Sequence, residues 1–174
     1  MNRWYVITGG PSTGKTTLLA ELNRLGFSTV PEAARTVIDQ AIERGQTVAE
    51  LRADEQAFQD LVTKMKQSVE ASQATDVVTF FDRGMHDTLA YLRHYGYPVE
   101  DWVRELMDRA RYKKVFLLDS LPSYEQDYAR TEDSVFSKGI QKLLHDAYAE
   151  NGMKPITVPV LPTVERAQFV LSHL

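Results

Sequence analysis

Two glycines, a lysine and a threonine stand in the order that a polyphosphate-binding loop requires. Gly9-Gly10-Pro11-Ser12-Thr13-Gly14-Lys15-Thr16 fits the pattern G-x-x-x-x-G-K-[ST]. Glycines at both ends let the backbone bend around phosphate oxygens with no Cβ in the way. Successive N–H groups then form a concave anion site, helped by the positive end of the helix that follows. Gly9, Gly10, Pro11, Ser12, Thr13, Gly14 and Thr17 are therefore expected to surround the phosphates of ATP or GTP. Lys15 would reach the β- and γ-phosphates, and the Thr16 hydroxyl would take a place on Mg²⁺. The competing reading is a glycine-rich turn that merely starts an amphipathic helix.

Three further positions carry chemistry beside such a loop. The apolar run Val77-Val78-Thr79-Phe80-Phe81 ends in Asp82, an acid that would hold the metal's water shell opposite Thr16. Arg83 follows, placed to bridge phosphates or offset charge in the transition state, and Gly84 would let the chain turn away closely over a ligand. Against this stands an Asp82 that only caps a helix beginning near Met85, with Arg83 solvated. Glu32 comes after Val30-Pro31, where proline holds the chain extended ahead of a helix. A carboxylate there would accept the proton of an attacking hydroxyl, or would simply favour the helix dipole. Arg35 lies about one turn further on the same face and is a candidate for substrate binding.

These residues need elements to hold them. Five short apolar runs, at residues 3–8, 27–30, 77–82, 114–119 and 156–160, read as strands. Residues 15–25, 33–44, 49–74, 87–95, 101–111 and 137–150 carry apolar residues at helical spacing, and a last helix follows Pro162 with Thr163 as its N-cap. Strands that alternate with helices predict an α/β fold, a five-stranded parallel sheet with helices on both faces. Ligands of such sheets bind outside the carboxyl ends of the strands, which is where Gly9, Glu32, Asp82 and Asp119 fall. Residues 1–174 read as a single domain, with the polar, charged stretch at about 121–137 as a lid. Arg130 is its expected catalytic arginine and Lys138 the substitute.

Composition excludes several classes. With 43% apolar residues the chain has material for a core, and with no cysteine it has neither disulfides nor thiolate metal sites. A net charge of −4 argues against gripping nucleic acid. No window reaches the roughly 18 apolar residues of a membrane span, and the N-terminus lacks the form of a secretory signal, so a cytoplasmic location is expected. The basic cluster Arg104, Arg109, Arg111, Lys113 and Lys114 reads as a solvated helix end. His86 and His94 lack the spacing of a helical metal pair. Phe58, Tyr91, Tyr95, Tyr97 and Trp102 read mainly as packing residues, with stacking on a substrate base the alternative.

Several stretches together resemble the small P-loop family AAA_28, predicted ATPases that include the ribosylnicotinamide kinase domain. They are Ile7-Thr8-Gly9-Gly10-Pro11, Pro31-Glu32-Ala33-Ala34-Arg35, Phe81-Asp82-Arg83-Gly84 with Asp87-Thr88-Leu89-Ala90-Tyr91, and Lys114-Val115-Phe116. Tyr124-Glu125-Gln126-Asp127, Arg130-Thr131-Glu132 and Val158-Pro159-Val160-Leu161-Pro162 continue the likeness over nearly the whole length. The arrangement is also similar to deoxynucleoside kinases. By that similarity Glu32 would be the general base, Asp82 the metal-side acid and Arg83 the phosphate-binding arginine. Those kinases carry Glu-Arg-Ser where this chain has Asp82-Arg83-Gly84.

The expected activity is transfer of the γ-phosphoryl group of Mg-ATP to a hydroxyl acceptor such as a nucleoside or nucleotide. The alternative is an ATPase or GTPase that acts as a switch on a partner protein; no Asn-Lys-x-Asp guanine motif is present. A nucleic-acid end kinase is disfavoured by the charge, and a homo-oligomer stays open.

Overall fold

The computed structural model describes residues 2–120 and 134–174, with side chains at 2–120 and 139–174. The strands are β1 (Trp4–Thr8), β2 (Ser28–Val30), β3 (Thr79–Asp82), β4 (Lys114–Leu118) and β5 (Ile156–Val158). All pair in parallel, in the order β2-β3-β1-β4-β5. The helices are α1 (Lys15–Arg24), α2 (Ala33–Glu43), α3 (Val48–Leu51), α4 (Glu55–Ser72), α5 (Asp87–Tyr95), α6 (Asp101–Arg109), α7 (Ser134–Ala149) and α8 (Thr163–Ser172).

The sheet is buried on both faces, and the period-2 alternation of each strand sorts its side chains between them. Tyr5 and Ile7 join Phe80, Phe116 and Leu118 against Leu18 and Leu22 of α1 and Val170 of α8. Val6 turns the other way with Val115 onto Tyr148 of α7, and Leu117 packs there with Leu89 of α5 and Leu144 of α7. Each large side chain so buried contributes about 2 kcal/mol.

A parallel sheet puts every carboxyl end on one edge. Because β2, β3 and β1 are neighbours, the residues that follow them, Glu32, Arg83 and Gly9, come to stand side by side. That juxtaposition creates the site.

Three helical expectations need correction. The stretch expected as one helix over 49–74 is α3 and α4. Thr47 and Glu50 form a capping box that starts α3, and Asp54 accepts from the Ala57 N–H to start α4 afresh. The apolar spacing runs through the break because Leu51, Phe58 and Val62 belong to one cluster with Val37 and Ile38 of α2. Periodicity reports the buried face and is blind to the cap. In α8 the cap is Pro162, and Thr163 is the first helical residue with no side-chain capping bond. α7 begins at Ser134, inside the stretch read as a lid.

Candidate active site

The loop after β1 has the left-handed backbone that wrapping an anion requires. Gly9 has φ 146°, and a Cβ there would come within 2.9 Å of the Leu118 carbonyl oxygen. Gly14, at φ 83°, is the N-cap of α1, and Ser12 sits at φ 56° without being a glycine. Such positions persist only where surrounding contacts hold them. Thr13 Oγ1 donates to the Gly10 carbonyl at 3.0 Å. The buried Lys15 ammonium donates to the Gly10 carbonyl at 2.7 Å and the Gly9 carbonyl at 3.1 Å, with Thr13 Oγ1 at 3.4 Å. The lysine thus lies across the loop's own concavity, while Thr16 and Thr17 are exposed at the start of α1.

Two residues that sequence reasoning did not assign to the site brace this loop. Gln141 of α7 accepts from the Gly10 N–H at 2.9 Å and donates to the Leu118 carbonyl at 2.8 Å, tying the loop to the end of β4. Arg166 of α8 donates to the Thr13 carbonyl at 2.7 Å and the Pro159 carbonyl at 3.1 Å. The signal for Arg166 was its place beside Ala167 and Val170 on the buried stripe of α8, where a cation needs a reason. Gln141 carried none.

At the end of β3, Asp82 is paired in register with Ile7 and buried. Its Oδ1 has no hydrogen-bond partner among the described residues. Burial, reinforced by the Glu32 charge, raises this carboxyl to about 6, while Lys15 and Arg83 pull it back down. A buried, unpartnered carboxylate oxygen within electrostatic reach of the loop lysine is the donor that a hydrated cation would complete. The residues therefore fit Mg²⁺, with Thr16 and Asp82 to hold it. Among the described residues no group of three or more His, Cys, Asp or Glu could bind a metal without help. Nucleotide oxygens and water would supply the rest, as Mg²⁺ prefers.

Arg83 is buried, so the reading of it as solvated is excluded. It adopts φ 67°, a left-handed conformation rare for a residue with a side chain. Its Nε donates to Glu32 Oε1 at 2.7 Å, and its Nη1 donates to the Gly9 carbonyl at 3.0 Å and to Asp87 Oδ1 at 3.2 Å. The guanidinium also lies 5.1 Å from the centre of the Tyr91 ring. The turn away from the strand is made by Arg83 itself. Gly84, expected to face a ligand, is packed inward: a Cβ there would meet Tyr148 Oη at 2.7 Å and Tyr112 and Val6 at 2.9 Å.

Asp87, which the residues alone did not mark as a site acid, is the hub beneath. It accepts from Thr8 Oγ1 at 2.6 Å, from the Gly84 N–H at 3.0 Å, from Arg83 and from the Tyr148 hydroxyl. Burial would raise its carboxyl, but Lys66, Arg83 and these hydrogen bonds outweigh it and leave it lowered. The helix after β3 starts at Asp87, two residues beyond Met85, so Asp82 is not its cap.

Glu32 is the extended N-cap residue of α2 and makes no capping hydrogen bond with its side chain. Its carboxylate lines an open cleft together with Pro11, Arg35, Phe58, Lys66 and Arg83. Arg35 thus shares the cavity with Glu32, as one helical turn predicts. Phe58 and Tyr91 contribute ring surface to it, whereas Tyr95 and Tyr97 pair with one another outside it. Lys66 of α4, which sequence reasoning passed over, is buried in its wall and donates to Thr88 Oγ1 at 3.1 Å. Arg104, Arg109, Arg111 and Lys113 are exposed, as a solvated helix end requires. Arg130, residues 121–133 of the expected lid and the Lys138 side chain lie outside the described residues. Among the described residues no helix is long and apolar enough to cross a membrane.

Comparison with solved structures finds the same fold in several other proteins. The chain is similar to NadR solved in complex with NAD and AMP-PNP, at TM-score 0.73 and 20% identity, over 99% of this chain and 49% of NadR. It spans about half the length of that protein. It is also similar to thymidylate kinase from Candida albicans, at TM-score 0.71 and 12% identity, over 99% of this chain and 90% of the other. Shikimate kinase from Acinetobacter baumannii in complex with shikimate follows, at TM-score 0.64 and 17% identity, with 99% and 92% covered. At these identities the likeness is one of fold. A family profile described as an AAA domain, AAA_28, matches residues 4–166. No curated protein matches the sequence.

Proposed function

We propose, from the premise that the chain belongs to the AAA_28 family of AAA domains, that it is a kinase moving the γ-phosphoryl group of Mg-ATP to the hydroxyl of a small molecule. The observation that carries this reading is the bond from Arg83 to Glu32. It fixes a carboxylate on the wall of the open cleft, and the same guanidinium is tied to Gly9 of the phosphate loop.

In this reading Gly9, Gly10, Pro11, Ser12, Thr13, Gly14, Lys15, Thr16 and Thr17 receive the triphosphate. Lys15 exchanges its long contact with Thr13 for a phosphate oxygen. Thr16 and Asp82, with water, would hold Mg²⁺, which would supply positive charge against the phosphates. Glu32 accepts the acceptor's hydroxyl proton as the new O–P bond forms and the bond to the β-phosphate oxygen breaks. Arg83 offsets charge on the moving phosphoryl group, with Arg130 as a further candidate and Arg35 orienting the acceptor. Burial of Lys15, Asp82 and Arg83 makes each of those charges count for more than it would in water.

The test is transfer from labelled ATP across a panel of hydroxyl acceptors, with Glu32→Gln alongside. We expect AMP-PNP affinity within about twofold of wild type and transfer reduced on the order of 10². Unchanged transfer would remove Glu32 from the role of base. Hydrolysis of ATP without transfer to any acceptor would favour a nucleotide-controlled switch.

A further inference from the structure

Among the described residues four cations line the cleft, and they are not alike. Arg52 is held by Glu55 at 2.9 Å, and Arg83 by Glu32 at 2.7 Å and Asp87 at 3.2 Å. Arg35 reaches in from α2. Lys66 has no carboxylate within ion-pairing distance among the described residues, and its one hydrogen bond goes to the neutral hydroxyl of Thr88. Yet it is only 7% exposed. An ammonium out of water with no carboxylate in contact with it is costly, and a methionine would fill the same space without that cost. The Thr88 hydroxyl is itself tied to Thr63 Oγ1 at 3.2 Å, so the lysine is aimed by a fixed partner. Burial pulls its pKa down to about 8. Asp87, Glu70 and Glu32 act on it from a distance in the raising direction, and Arg83 in the lowering one. At neutral pH it is still mostly charged, and an anion brought into the cleft would find it incompletely neutralised.

We infer that Lys66 is an acceptor-binding residue and that the acceptor is an anionic alcohol, its hydroxyl delivered to Glu32 and its phosphomonoester or carboxylate group received by Lys66. The inference rests on the kinase reading for its geometry of transfer, but not for the binding of the anion. Phe58 and Tyr91 offer ring surface for the carbon skeleton, and the Gln59 amide, bonded to Glu55 at 2.8 Å, stands beside them on the wall. Lys66 then decides which alcohols are substrates, because a neutral alcohol would leave the buried ammonium without an anion in contact.

The test uses the full chain loaded with AMP-PNP and Mg²⁺, so that the phosphate loop is filled. Inorganic phosphate and, separately, acetate are titrated into it by calorimetry at pH 7, beside Lys66→Met. We expect saturable binding to wild type and a loss of about tenfold or more in K66M, with AMP-PNP affinity within about twofold in both. Tighter phosphate identifies a phosphomonoester acceptor, and tighter acetate a carboxylate. Equal anion affinity in the two proteins, or no saturable binding of either anion to wild type, overturns the assignment. The chain has no cysteine, so Lys66→Cys alkylated with 2-bromoethylamine returns an ammonium at the same reach and should return the affinity, which a mere packing role would not do. If neither variant folds, the Lys66 ε-methylene signal of the wild-type chain must move during the titration; a stationary signal at saturation sinks the idea. Anion binding without phosphoryl transfer would keep this site and discard the kinase reading. Transfer to neutral alcohols at equal rates in wild type and K66M would do the reverse.

Discussion

Arg83 combines a backbone conformation that costs energy with a side chain that three groups require. Its φ of 67° is unfavourable by about 1 kcal/mol for a residue with a Cβ. Glycine would relieve that strain, but Arg83→Gly would remove the guanidinium that ion-pairs with Glu32 and with the buried Asp87. Breaking one side of a buried pair costs about 3–5 kcal/mol, so the lost ion pairs outweigh the relieved strain. Urea unfolding should show R83G less stable by about 3 kcal/mol, and an unchanged midpoint would mean the network is not structural. For the loop, Lys15→Ala removes an ammonium that bonds two loop carbonyls. Charged hydrogen bonds contribute about 1.5–3 kcal/mol, so AMP-PNP affinity by calorimetry should fall by roughly tenfold or more. Wild-type affinity in that variant would count heavily against the phosphate cradle.

The elements place these residues by close packing as much as by topology. Gly84 joins β3 to α5 with no unusual φ, and what it supplies is space beneath Tyr148, Tyr112 and Val6. Gly84→Ala must push apart β1, α7 and the Tyr112 segment at once, and overpacking of this kind costs about 1–3 kcal/mol. Gly139 in α7 is the opposite case, since a Cβ there meets nothing within 4 Å. Gly139→Ala should stabilise by about 0.5–1 kcal/mol, because alanine loses less entropy in a helix. Thermal melts of the two variants should move in opposite directions; movement in the same direction would show that the space under Tyr148 does not constrain position 84.

Across the whole molecule, His86 couples folding to acid. It is buried beside the Tyr112 and Tyr148 rings with an unpartnered Nδ1, and burial lowers its pKa to about 4. The unfolded chain takes up this proton below about 6.5, while the folded chain refuses it until about 4. Stability is therefore full above the unfolded value and is lost as pH falls between the two, by up to about 3 kcal/mol. His86→Leu removes that loss. The stability difference between wild type and H86L, from urea unfolding, should shift by about 3 kcal/mol in favour of the variant between pH 7.5 and pH 4. A constant difference would mean the imidazole is not held neutral by burial.

Much of this was legible before any coordinates, and for one reason: the signals were local. Gly9 to Thr16 form a contiguous motif between a strand and a helix, and the alternation along each strand is a property of a few neighbouring residues. From these the parallel α/β sheet and the positions of Gly9, Glu32 and Asp82 at strand ends followed. Partnership did not follow. Arg83 meets Glu32 across 51 positions, Lys66 meets Thr88 across 22, Gln141 reaches Gly10 across 131 and Arg166 reaches Thr13 across 153. The order β2-β3-β1-β4-β5 creates these contacts, and no window of sequence contains both members of any of them. A charge is recognised as buried only once the elements around it have closed, which is why Asp87 and Lys66 became visible with the tertiary structure.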